Sequence, residues 1–109
     1  MAINKSLIDG VQNSVNTAVD LYTSPANGNG TRITAFTASL GSTTAQTYRV
    51  FIGATAVAAK EIIQATAIAG PDQDSPLEII NHFITPGEKI FVQVSTGTTI
   101  VIRASGIEF

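Results

Sequence analysis

A chain of 109 residues and 11.3 kDa is long enough for one hydrophobic core and too short for two. Its formal charge of -2 comes from six basic and eight acidic residues scattered singly, which excludes the electrostatic footprint of a nucleic-acid or anionic-membrane binder. The absence of cysteine excludes a disulfide framework, a thiol nucleophile and a Cys-ligated metal, and fits synthesis in a reducing cytosol.

Charged residues make up 13% of the chain, about half the usual ~25%, while the 44% of hydrophobic residues is ordinary. Neutral polar residues must therefore supply the exterior. Fourteen Thr, fourteen Ile and eight Val against four Leu favour strands over helices. A Thr-rich, weakly charged surface also suits a protein part of whose exterior is covered in an assembly.

In chain order, Met1 to Gly10 contains no apolar run of signal-peptide length, so secretion by that route is not expected. Leu7, Val11, Val15 and Ala18 stand at helical spacing, yet Val11, Val15, Val19 and Leu21 also share one face of a strand. Gly10, the Asn residues and Val favour a loose arm over residues 1–14, leading into a β domain over residues 15–109. Turn clusters at 24–30, 41–44, 53, 70–76, 85–88 and 95–98 then cut the chain into short segments. Strands are expected near Val15 to Thr23, Thr31 to Leu40, Gln46 to Ile52, Glu61 to Ile68, Leu77 to Ile84, Lys89 to Val94 and Thr98 to Ile107. That spacing predicts an all-β, single-domain antiparallel sandwich. Ala54 to Ala69 also fits a helix closed by Gly70 and Pro71, as well as a strand. Val50 to Ala59, the most apolar stretch, falls far short of the ~20 residues of a membrane helix.

The last two strands are expected to form a hairpin around Ser95-Thr96-Gly97, with Gly97 in the left-handed conformation. This register aligns Ile90, Val92, Val94, Ile100 and Ile102 on one face and turns Phe91 and Val101 outward together. By strict alternation, Ile80 and Ile84 face opposite to Leu77, Ile79 and Phe83. Phe91, Val101, Ile80 and Ile84 are therefore the expected subunit interface.

No catalytic or metal-binding constellation stands out, so neither an enzyme nor a cofactor is expected. His82 is the single histidine and has no second ligand at metal spacing, so it reads as a surface or interface residue. Asp72, Asp74 and Glu78 lack the glycine and ligand count of an EF-hand and read as a solvated turn. Asn27-Gly28-Asn29-Gly30 resembles a phosphate loop only in glycine content and reads as a flexible turn.

The run Val19-Asp20-Leu21-Tyr22-Thr23-Ser24-Pro25, the strand Thr31 to Phe36, the run Thr85 to Ile90 and the segment Val101 to Glu108 together resemble small β-sandwich proteins of tailed-phage virions. The likeness is one of style and order from Val19 onward. It implies a jelly-roll-like capsid cement or decoration protein. Such a protein would be a homotrimer bound to the major capsid protein outside a phage head, made in the host cytoplasm and located in the virion. A tail or head-completion protein is the alternative within that class. A carbohydrate-binding jelly roll is the alternative outside it, with Tyr22, Tyr48 and five Phe as its available aromatics and no Trp.

Overall fold

The computed structural model describes residues 2–13, 17–41, 44–68, 71–95 and 100–109. Its strands are β1 (Ile3–Asn13), β2 (Val19–Thr23), β3 (Thr31–Leu40), β4 (Gln46–Gly53), β5 (Glu61–Ile68), β6 (Asp72–Asp74), β7 (Phe83–Ile84), β8 (Lys89–Val94) and β9 (Ile100–Glu108). Three-residue 3-10 turns occupy Ala58–Lys60 and Leu77–Ile79. One sheet runs β1-β9-β3-β6 with β7 also on β3, and the facing sheet runs β2-β8-β4-β5.

The chain is one antiparallel ribbon folded back on itself. β1 pairs with β9, β2 with β8, β3 with β6 and β7, and β4 with β5. Wrapping this ribbon around the core adds the β3–β9 and β4–β8 ladders. That is the strand order of a jelly roll, and it confirms the expected antiparallel sandwich. Inward residues of both sheets fill the core: Ile33, Phe36, Ala38, Leu40, Ile100, Ile102 and Ala104 meet Tyr48, Val50, Ile52, Ile63, Ile68, Ile90, Val92 and Val94.

The segment expected as a loose arm is strand β1. Strict alternation conceals it, because two register shifts break its ladder with β9. The first of them brings the consecutive residues Leu7 and Ile8 both into the core, at 8% and 2% exposure. Leu7 fills the space left by Gly106, where a Cβ would stand 2.7 Å from Leu7 Cδ1 and 2.4 Å from the Arg32 carbonyl oxygen. β2 begins at Val19, and Val15 lies outside the described residues.

The expected terminal hairpin is replaced by a crossover. β8 and β9 belong to facing sheets, so Ile90, Val92 and Val94 point at Ile100 and Ile102 across the core rather than lying beside them. Both arrangements bury the same five residues, which is why alternation alone does not distinguish them. Residues 96–99, Gly97 among them, lie outside the described residues.

The expected strand Leu77 to Ile84 is also corrected. The 3-10 turn at Leu77–Ile79 and Asn81 at φ 70° shift its phase before β7 begins. Ile79 and Ile84 are fully buried, while Leu77 is 82% and Phe83 49% exposed. The helical alternative for Ala54 to Ala69 gives way to one 3-10 turn and β5.

Candidate interaction surface

The four expected interface residues do not share a surface. Phe91 is on the outer face of β8, directly opposite Phe51 of β4, and both belong to the sheet that excludes β9. Phe51 is itself buried at 5%. Val101 lies on the other exterior, opposite Ser39 of β3. Ile80 packs partly buried against the core, and Ile84 is within it. The physical reason is the crossover, which sends the outward residues of β8 and β9 to opposite sides of the molecule.

A different set of residues converges at one end of the β1-β9-β3 sheet. Cα pairing sets Asn4, Ile107, Arg32 and Phe83 in one row across its outer face. Phe109 joins them: its ring centroid is 6.3 Å from that of Phe83 at a 31° interplanar angle, and the Arg32 guanidinium carbon stands 5.7 Å from its centroid. The backbone fixes this cluster. The Asn29 N–H donates to the Phe109 carbonyl at 2.9 Å, and the Phe109 N–H donates to the Gly30 carbonyl at 2.9 Å.

Gly30 is the seat of the Phe83 ring. At φ 107° it holds a conformation closed to most residues, and a Cβ there would lie 2.2 Å from Phe83 Cζ. One side of the ring is thus pressed on backbone while the residue remains half exposed. Sequence reasoning placed Phe83 inside because it assumed unbroken alternation. Arg32 and Phe109 carried no signal until β3 and β9 were paired.

Behind this surface, polar side chains tie the two sheets together. The Tyr22 hydroxyl from β2 donates to Glu108 Oε2 of β9 at 2.5 Å and lies 2.8 Å from Thr31 Oγ1 of β3, which in turn lies 2.9 Å from Ser24 Oγ. Lys5 of β1 approaches Glu108 Oε1 at 3.4 Å. Burial, and then the hydrogen bond to Glu108, push the Tyr22 phenol up to about 12. At the opposite edge the fully buried Tyr48 donates from β4 to Asp74 of β6. Burial and that carboxylate hold its phenol well above the ordinary range for tyrosine.

The remaining sequence candidates are accounted for separately. His82 is half-buried, and its backbone carbonyl accepts from the Ile33 N–H at 3.0 Å. Asp74 is engaged by Tyr48, and Asp72 accepts from the Gln73 N–H at 2.8 Å. Among the described residues, no three His, Cys, Asp or Glu side chains gather into a metal-sized group. In the Asn27 to Gly30 turn, the amides of Gly28 and Asn29 are spent on the Pro25 and Phe109 carbonyls, so they do not form an open phosphate cradle. No family model matches this chain, and no curated protein matches it.

Proposed function

We propose that this protein is a structural component of a tailed-phage virion, a capsid cement or decoration subunit that acts by burying surface against its neighbours. The observation that carries this reading is the Phe83–Phe109–Arg32 surface, backed by rigid backbone, on a molecule with only 13% charged residues. Aromatic residues and arginine are the types enriched where proteins meet, and buried charge is what such contacts avoid. Jelly rolls occur among viral capsid domains, and this analogy of fold adds to the sequence resemblance.

Size constrains the contact. A standard interface takes about 800 Å² from each partner. That exceeds the 25 × 20 Å end of the molecule and fits within its 43 × 25 Å broad face, so the contact must spread from Phe83 along the outer sheet. In this reading copies associate as a homotrimer, and the trimer sits on the major capsid protein.

The test is peptide mass spectrometry of gradient-purified virions, with heads and tails separated. Recovery with the heads, in fixed ratio to the major capsid protein, is expected. Recovery with tails alone would move the protein to the tail or head-completion class. Absence from virions, combined with retention on immobilised glycans, would replace the reading with the carbohydrate-binding one.

A further inference from the structure

Six asparagines occur in the chain, and only Asn27 and Asn29 precede a glycine, in the run Asn27-Gly28-Asn29-Gly30. Asparagine before glycine is the arrangement most prone to lose its amide, because the glycine nitrogen, with no Cβ beside it, approaches the asparagine Cγ unhindered. Both asparagines are exposed, so exposure does not choose between them. Their backbones do.

At the second pair the main chain is held on both sides. The Asn29 N–H donates to the Phe109 carbonyl and the Phe109 N–H donates to the Gly30 carbonyl, each at 2.9 Å. Gly30 is buried, with the Phe83 ring standing where its Cβ would be. Its N–H meets no backbone acceptor among the described residues, yet burial shields it from the solvent base that must remove its proton. The first pair sits in a turn closed by one long bond, from the Gly28 N–H to the Pro25 carbonyl at 3.2 Å, and Gly28 is only partly buried. Opening that turn frees the Gly28 nitrogen without disturbing either sheet. Freeing Gly30 requires both Phe109 bonds to break and the Phe83 ring to lift, which is the larger cost.

We propose that Asn27 is a site of spontaneous deamidation and that its isoaspartate product unseats Phe109. Base removes the Gly28 N–H proton, and the nitrogen attacks the Asn27 Cγ. The new N–Cγ bond closes a succinimide ring as the side-chain nitrogen leaves as ammonia. Water then opens either ring carbonyl, giving aspartate or isoaspartate at position 27. Isoaspartate carries the main chain through its side-chain carbon, which adds a methylene directly before Gly28. Gly28 passes so near the Phe109 carbonyl oxygen that a Cβ on it would stand 3.1 Å away, so the lengthened chain disturbs the bonds that hold Phe109. This site stands independently of the assembly reading.

The test ages the full chain in mildly alkaline buffer beside a synthetic peptide of residues 24–32, with peptide mapping by electron-transfer fragmentation to tell aspartate from isoaspartate. In the peptide the two sites should react at similar rates, whereas in the folded protein Asn27 is expected to react about tenfold faster than Asn29. Asn27→Gln should abolish the early product and leave the slow one. In the chromatographically purified isoaspartate form, the Asn29 amide should exchange with deuterium about tenfold faster than in the parent. Asn29 reacting as fast as Asn27 in the folded protein, or neither reacting while the peptide does, would overturn the site. Unaltered exchange at the Asn29 amide would overturn the unseating of Phe109.

Discussion

Tyr22 and Tyr48 each reach from one sheet to a carboxylate of the other, and both are neutral hydrogen-bond donors in the folded protein. Their phenols ionise more readily in the unfolded chain, near the ordinary value of about 10. Stability from these groups is therefore fully present below pH 10 and is lost above it, with the Tyr22 share disappearing between pH 10 and about 12. Thermal melts at pH 7, 9 and 11 should show little change over the first step and a marked fall over the second. Tyr48→Phe leaves Asp74 without its donor and should cost about 1–2 kcal/mol at pH 7 while flattening the alkaline decline. An equal alkaline decline in the variant would show that the Tyr48 phenol is not a cause. Neither tie was legible beforehand, since the partners stand 86 and 26 residues apart in sequence and neither shift is encoded locally. Gly30 was legible as a turn residue but not as a seat for a ring. Gly30→Ala should destabilise by about 1–3 kcal/mol in denaturant melts, since both its φ and the Phe83 ring oppose a Cβ.

At the scale of elements, β3, β5 and β8 fall where hydrophobic spacing and turn residues place them. Runs such as Lys89–Val94 alternate cleanly, and alternation reports burial directly. Failures cluster where an extra residue or a turn resets the phase. β1 was hidden by its bulges, and the 77–84 segment was inverted by a 3-10 turn followed by Asn81 in the left-handed region. The β8–β9 connection was misread for a different reason: alternation identifies an inward face without saying which sheet it belongs to. The corrected phase of 77–84 makes a sharp comparison. Ile79→Ala should cost about 2–5 kcal/mol, because Ile79 is fully buried, whereas Leu77→Ala should stay within about 0.5 kcal/mol of the parent. The reverse order in chemical unfolding would restore the uninterrupted strand.

For the whole molecule, the jelly-roll wrap decides what becomes surface. It buries Ile33, Val50, Ile90, Val92, Ile100 and Ile102 between two sheets and leaves residues such as Thr34 and Thr47 on the exterior. It also draws Ile107, Arg32, Phe83 and Phe109 to one end of one sheet. The fold class was readable from composition and spacing, because both report the strand content on which a sandwich depends. The location of the Arg32–Phe83–Phe109 cluster was not, since it requires knowing that β7 and β9 flank β3.

The measurement closest to the central claim is the solution mass of the parent and of Phe83→Ser by light scattering at tens of micromolar, with melting temperatures recorded alongside. Half-exposed Phe83 contributes modestly to the fold, so the variant should melt within a few degrees of the parent. The parent is expected at three times the chain mass, and the variant at the chain mass. A parent that stays monomeric, or a variant that stays trimeric, would contradict assembly through this surface.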